Sequence, residues 1–363
     1  MSSRSAGRGP GRGPGRRRHV LVARLDSFGD VLLAGPAIRA VAAHTEEVTL
    51  LAGPVGHPAG ELLPGVSRIV EWAAPWIEAD PDPVDRAHVE RLTKVVADAA
   101  PDAAVVLTSY HQSALPTALL LRLAGVPWIA AISEDYPGSL LDVRHRVDEE
   151  LPEAERGLSL ARAAGYSLPA DDDGRLRVRT PLPDVPAPAG EPGYVVLHPG
   201  TSVPARAWPA DRFVQAARDL HAAGHRVVVT GGAGERSLTG KVAGQCAVDL
   251  GGRTSPAELA AVLAGAAAAV VGNTGPAHLA AAVGCPVVSL FAPTLPARRW
   301  APYRVPTILL GDQQAPCRDS RARECPVPGH PCLTTVTSAD VVAAVDRLTQ
   351  APRWAREPPR GLR

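Results

Sequence analysis

The sequence predicts an α/β protein of two domains, each a mostly parallel sheet with helices on both faces, set around a cleft. Three observations lead there. Short apolar runs alternate with segments of helical spacing over 19–132 and again over 194–349, the β-α-β rhythm of a parallel sheet. Between the two blocks, 167–193 is rich in Pro, Asp and Gly without periodicity, as expected of a linker. The chain has 363 residues, 45% of them apolar, which is too long for one typical core. The expected organisation is a basic tail over 1–18, a first domain over 19–166, the linker over 167–193, a second domain over 194–350 and a short tail over 351–363.

The first domain opens with an apolar strand, HVLVARL, at 19–25. A polar loop, Asp26-Ser27-Phe28-Gly29-Asp30, leads into a helix over 31–43. Strands follow at 48–51 and 68–72, a helix at 84–99, a strand at 103–107, a helix at 113–124 and a strand at 128–132, where the alternation ends. Residues 142–150 are charged and 153–165 has helical spacing. The acidic run Asp171-Asp172-Asp173 in the linker reads as solvated. In the second domain, strands fall at 194–197, 226–230, 247–250, 268–271 and 287–291, and helices at 210–223, 234–244, 255–265 and 275–283. An edge strand at 307–310 and a helix at 338–349 complete it. Aromatics make up only 4% of the chain, so Ala, Val and Leu must build the cores.

Lys and Arg number 38 against 37 Asp and Glu, a net charge of +1, which argues against nucleic acid as a partner. No apolar run reaches the length of a membrane span, and no apolar stretch of a secretory signal precedes the first strand. Five cysteines, an odd number, fit a reducing, cytoplasmic location. The Gly-, Pro- and Arg-rich tail over 1–18 has little to bury and is expected to be disordered. Its charge would also suit an anionic membrane face.

Four strand-to-helix loops hold the candidate chemistry. Asp30 follows Gly29 at the end of the first strand. Capping and the helix dipole alone would favour an Asp there, but Gly29 allows close approach and Phe28 is too apolar for an ordinary solvated turn. After the first strand of the second domain comes His198-Pro-Gly-Thr-Ser, then Arg206. Thr201 and Ser202 offer donors, and Arg206 can clamp a phosphate. Thr230-Gly231-Gly232-Ala-Gly-Glu235 has the wrong spacing for a dinucleotide fingerprint. Its Glu235 is either a first-turn dipole partner or an acceptor for ribose hydroxyls. Asn273-Thr274-Gly275 leads into a helix whose N–H groups and positive dipole end suit an anion such as a nucleoside diphosphate, and His278 can share that face. Cys317, Cys325, Cys332 and His330 have spacings unlike those of usual zinc sites, so free thiols in a surface segment are the expectation, and no metal. No G-x-S-x-G, H-E-x-x-H or P-loop occurs.

Together these pieces resemble glycosyltransferase family 9, the ADP-heptose:lipopolysaccharide heptosyltransferase family. The resemblance rests on Arg24-Leu-Asp-Ser-Phe-Gly-Asp30-Val-Leu, HPGTSVPARAWP at 198–209, TGGAGE at 230–235, GNTGPAHLAAAVGCPVV at 272–288, LFAPTLPARRWAPY at 290–303 and the Cys-rich 317–332 segment. It implies a GT-B fold of two Rossmann-like domains, the donor bound mainly by the second and the acceptor by the first. It implies inverting, metal-independent sugar transfer from a nucleotide-sugar to a glycan or glycolipid, with no cofactor and with peripheral contact to the cytoplasmic membrane face. The catalytic carboxylate falls on Asp30 and the basic diphosphate contact on Arg206. Donor positions fall on Gly29, Thr201, Ser202, Gly231, Gly232, Glu235, Asn273, Thr274, Gly275 and His278, and Thr254 faces the base. Asn273 stands where Asp is usual, which changes the sugar hydroxyls that can be bound. A non-catalytic sugar-nucleotide binder or another GT-B-like enzyme, such as a UDP-sugar epimerase, would share the fold. A nicotinamide oxidoreductase lacks its fingerprint after the first strand.

Overall fold

The computed structural model describes residues 17–78, 80–147 and 150–350. The first sheet comprises β1 (His19–Arg24), β2 (Glu47–Ala52), β3 (Arg68–Glu71), β4 (Ala103–Val106), β5 (Ile129–Ile132) and β6 (Val143–His145), in the order β3-β2-β1-β4-β5-β6. The second comprises β7 (Val195–His198), β8 (Val227–Val229), β9 (Val248–Asp249), β10 (Ala268–Gly272), β11 (Val287–Leu290) and β12 (Thr307–Leu310), in the order β12-β11-β10-β7-β8-β9. Counted within its own half, each sheet runs 3-2-1-4-5-6, the doubly wound order that opens a ligand crevice where the winding reverses. The reversals lie between β1 and β4 and between β7 and β10.

The helices are α1 (Phe28–Leu33), α2 (Gly35–Ala42), α3 (His57–Leu62), α4 (Arg86–Ala99), α5 (Leu115–Leu123) and α6 (Glu153–Ala163), then α7 (Ala210–Ala222), α8 (Arg236–Ala243), α9 (Pro256–Gly265), α10 (Gly275–Ala282), α11 (Ala297–Trp300), α12 (Pro331–Thr334) and α13 (Ser338–Gln350). Helices cover both faces, so the central strands are continuous apolar runs. Alternation along β1 divides the core. Val20 and Val22 pack with Ile38, Val41 and Leu160 on one face, and Leu21 and Ala23 with Leu92, Val96 and Leu121 on the other.

Several details differ from the sequence expectation, which did not include the short helices α3, α11 and α12. The helix expected over 31–43 begins at Phe28 and is two helices, because Ser27 caps α1 and Pro36 opens α2. A sixth strand, β6, follows the alternation that ended at β5. It is a three-residue edge strand of partly buried residues, too short and too charged for a periodic signal. Residues 1–16 and 351–363 lie outside the described residues, and with them most of the expected tails. Arg17 and Arg18 are held by the fold: the Arg17 guanidinium sits 3.4 Å over the Trp128 ring, and the Arg18 N–H donates to Asp102 at 2.8 Å.

A further difference lies in 167–193, which is fastened to the first sheet's helices. The Arg179 N–H donates to the Leu62 carbonyl at 2.7 Å, and Leu176 and Val178 are buried. Asp172 is no solvated member of an acidic run. Its carboxylate takes two hydrogen bonds from Arg39, at 2.6 and 3.0 Å, with both side chains less than a tenth exposed. Burial alone would raise the Asp172 carboxyl, but Arg39 and the Gly174 N–H hold it below its ordinary value of 3.8. Asp172→Ala leaves the Arg39 guanidinium buried and unpaired, and is expected to cost about 3 kcal/mol by urea unfolding. Because the folded-state pKa is depressed, the wild-type contribution is complete at neutral pH. It disappears as the pH falls through the folded-state value.

Candidate active site

The two switch points face each other. From the first domain come the Ser27 cap and first turn of α1 after β1, which reaches to Asp30, and the loop after β4, which carries Thr108 to His111. From the second come the loop after β7, with Thr201 to Arg206, and the loop after β10, with Asn273 and Thr274 leading into α10. Contact between the halves is direct. A Cβ on Gly29 would lie 2.7 Å from His278 Cδ2 and 3.3 Å from Gly275 Cα, and one on Gly275 would lie 2.9 Å from a Phe28 ring carbon. Glycine at both positions lets the starts of α1 and α10 meet.

Asp30 sits in the first turn of α1 with its carboxylate fully engaged. Oδ1 accepts from Arg24 at 3.1 Å and from the Trp300 indole N–H at 3.3 Å, and Oδ2 accepts from the Ser27 hydroxyl at 2.7 Å. Burial works to raise this carboxyl, but Arg24, Ser27, Trp300 and His278 together hold it below its ordinary value. It is therefore a carboxylate at neutral pH.

Arg24 ends β1 with a guanidinium 5% exposed. It lies 3.2 Å from Asp26, 3.1 Å from Asp30 and 3.9 Å from Glu153, and it donates to the Ser109 hydroxyl at 2.9 Å. Ser109 in turn donates to Asp26 at 2.6 Å. Burial outweighs Arg24 at Asp26 and pushes its carboxyl up, with the neighbouring Asp30 adding to the rise. Glu153, at the start of α6, is buried too, with Arg156 and Arg299 3.9 and 3.7 Å away.

Arg299 and Trp300 come from α11 of the second domain. The Arg299 guanidinium lies 4.6 Å over the Tyr110 ring, which packs 5.4 Å from Trp300. Their neighbours continue across the cleft: Arg298 pairs with Glu150, the Tyr303 hydroxyl donates to Glu155 at 2.9 Å, and Arg304 lies 3.3 Å from the same carboxylate.

The opposing wall differs in character. Arg206 is half-buried and has no carboxylate partner among the described residues. Its Nη1 reaches the Asn273 carbonyl at 3.5 Å, and its Nε is buried without a partner. Asn273 Oδ1 and His278 Nδ1 are likewise buried and unpartnered. Burial pushes the His278 pKa down to about 4, so its ring is neutral. Thr274 precedes α10 in an extended conformation and gives it no side-chain cap.

The model of glycosyltransferase family 9 (heptosyltransferase) matches residues 89–330. The chain belongs to that family. Solved structures agree on its architecture. A family 9 glycosyl transferase from Veillonella parvula superposes with a TM-score of 0.71 at 17% identity, covering 92% of this chain and 98% of that one. E. coli ADP-heptose lipopolysaccharide heptosyltransferase II gives 0.66 at 19%, covering 92% and 98%. E. coli heptosyltransferase WaaC with ADP-2-deoxy-2-fluoro heptose gives 0.68 at 22%, covering 91% and 99%. At these identities the likeness is one of fold, the two-domain GT-B arrangement. No curated protein matches in sequence.

The glycosyltransferase thus brings Gly29, Asp30, Arg206, Asn273, Thr274, Gly275 and His278 to one place. Glu235 stands on the adjacent loop after β8, where its carboxylate accepts the Gly232 N–H at 2.7 Å and packs on Gly200, whose added Cβ would lie 1.9 Å from it. Gly231 and Gly232 form the same turn. Thr201 uses its hydroxyl on its own loop, accepting from the Val203 N–H at 3.1 Å, while Ser202 is exposed. Thr254 is half-buried, one residue before the Ser255 cap of α9. Arg24, Ser27, Ser109, Glu153, Arg299 and Trp300 were not singled out from sequence. Arg24, Ser27, Arg299 and Trp300 did lie inside recognised motifs, and an arginine closing an apolar strand was a readable signal. Cys317 and Cys332 are buried rather than on the surface, Cys325 is half-buried, and all are free thiols. Among the described residues no group of three His, Cys, Asp or Glu side chains is placed to hold a metal.

Arg24→Gln removes the cation shared by three buried carboxylates. It is expected to cost the enzyme about 3–5 kcal/mol in urea unfolding. It is also expected to raise the acidic limb of its pH–rate profile, since burial would then dominate Asp30.

Proposed function

We propose that this enzyme is an inverting, metal-independent transferase that moves heptose or a related sugar from a nucleoside-diphosphate donor to a hydroxyl of a cell-surface glycan or glycolipid. The donor is ADP-linked in this reading, as the bound ligand of the WaaC structure is. The acceptor class is a lipopolysaccharide core or a comparable glycan, met on the cytoplasmic side of the membrane. No helix among the described residues is long and apolar enough to cross a membrane, so membrane contact in this reading is peripheral. The observation that carries the proposal is an ionised Asp30 on one domain, facing the uncompensated Arg206 and the neutral His278 on the other.

The acceptor hydroxyl lies against Asp30, and its oxygen attacks the anomeric carbon on the face opposite the diphosphate. The new C–O bond forms as the bond to phosphate breaks, and the proton passes to Asp30. A single displacement inverts the anomeric centre. A carboxylate with a depressed pKa is a weak base, so proton transfer comes late, when the sugar has oxocarbenium character and the hydroxyl has become acidic. The bonding electrons leave with the nucleoside diphosphate. Arg206 and the start of α10 meet that charge in place of a metal. Asn273 Oδ1 and His278 Nδ1 are left for donor hydroxyls, Thr201 and Ser202 for phosphate oxygens, and Gly231, Gly232, Glu235 and Thr254 for the nucleoside.

Asp30→Ala is expected to abolish transfer in a radiolabelled donor assay while ADP still binds, since Asp26 and Glu153 continue to balance Arg24. Near-normal turnover in that variant would rule out Asp30 as the base. EDTA at millimolar concentration should leave the initial rate unchanged, and a loss restored by added divalent cation would refute metal independence.

A further inference from the structure

Segment 317–323 runs across the mouth of the second domain's switch point. The Asp319 N–H donates to the Pro293 carbonyl at 2.8 Å, the Arg321 N–H to that of Thr294 at 2.9 Å, and the Ala205 N–H to that of Arg323 at 2.8 Å. The segment therefore straps the loop after β11 to the loop after β7, one residue from Arg206. Asp319 and Arg321 have left-handed backbones, with φ of 59° and 57°. Residues other than glycine adopt that conformation at a cost, and such strain gathers where a side chain must be placed.

The strap's charges are not balanced locally. Arg318 donates to Gln314 at 2.7 Å and lies 3.9 Å from Asp319. Arg321 and Arg323 have no carboxylate within 4.0 Å among the described residues. Arg206 is in the same condition, with its buried Nε unpartnered. Burial depresses the Arg206 pKa, and the nearby charge of Arg323 depresses it further against the pull of Asp30. The backbone bond from Ala205 to Arg323 brings the exposed Arg323 to the chain segment that carries Arg206, and neither guanidinium has an anion to balance it among the described residues. Each presents a planar fork of donors matched to phosphate oxygens.

We infer that Arg323 is a second guanidinium for the donor's diphosphate, closing on it from the strap while Arg206 holds it from within the cleft. The assignment rests on the nucleoside-diphosphate donor proposed above and adds a binding residue to that reading. Asp30, Arg206 and Arg323 then act in sequence along the reaction, with the base at one end and the departing charge spread over two arginines at the other.

Inorganic pyrophosphate tests this without a choice of nucleotide. Calorimetric titration of the full-length protein at low ionic strength is compared with Arg323→Gln, Arg323→Lys, Arg206→Gln and Arg318→Gln. Arg323→Gln is expected to weaken binding roughly tenfold, the scale of a hydrogen bond to a charged group. Lysine should restore part of the loss, and Arg318→Gln should bind as wild type does, all at an unchanged Tm. Wild-type affinity in Arg323→Gln, with Arg206→Gln weakened, overturns the inference and leaves Arg206 alone on the diphosphate. An equal loss in Arg318→Gln also overturns it, as the mark of general attraction rather than a site. Tight binding in both Arg206→Gln and Arg323→Gln, or no wild-type binding at millimolar pyrophosphate, removes the diphosphate cleft itself.

Discussion

A guanidinium buried at the end of β1 organises this molecule. Arg24 cannot be taken out of water alone, and three carboxylates, Asp26, Asp30 and Glu153, surround it within 4 Å. Those three in turn cannot be buried around a single cation, so Arg156 and Arg299 close in on Glu153 and Ser109 ties Asp26. Each group's burial is tolerable only because the others are present. The network joins β1, the loop after β4 and the start of α6 at one point. Asp30 is its most exposed carboxylate, and the one that faces the cleft. The placement and charge of the proposed base thus follow from balancing a buried cation.

The same network sets how the domains meet. Arg299 and Trp300 reach from α11 to Glu153 and Asp30, and the flanking Arg298, Tyr303 and Arg304 reach Glu150 and Glu155. The outer pairs are half-exposed and contribute little energy, whereas the inner contacts are buried and directional. These contacts fix an orientation on top of a buried apolar cluster that runs from Val31 and Leu63 of the first domain to Ala277 and Leu279 of the second. The close approach at Gly29 and Gly275 adds a steric stop. The distance between Asp30 and the start of α10 is therefore set by two glycines, and the angle by an indole and an arginine.

The rhythm of strands and helices was legible because parallel sheets buried on both faces leave apolar runs in the sequence. The four loops were legible because glycine, proline and small polar residues must follow those strands. Asp30, Arg206 and the loop from Asn273 to Gly275 could be named from position and motif. Glu153 could not: an acidic residue at a helix start is the ordinary choice, and only tertiary structure reveals it surrounded by three arginines. Trp300 lies 270 residues from the carboxylate it touches, and no periodicity carries that information. Asp172 misled for the converse reason, since a run of three acids in a Pro-rich segment has the composition of solvated chain while Arg39 buries its middle member. The break between α1 and α2 was signalled by Pro36, but a helix of the expected length masked it.

The two walls of the cleft differ in a way that bears on the donor. Asp30 already has a partner on each carboxylate oxygen. Arg206 Nε, Asn273 Oδ1 and His278 Nδ1 are buried with none, each at a cost of about 1–3 kcal/mol. A ligand that bonds all three recovers that cost, which is a physical basis for affinity on the donor side. Asn273 matters most here. Arg206 touches the backbone carbonyl of Asn273 at 3.5 Å, while the Asn273 side-chain N–H donates to the Ala292 carbonyl at 3.5 Å. In the proposed reaction the free amide oxygen of Asn273 accepts from a sugar hydroxyl, and the unpaired Arg206 is answered by the diphosphate.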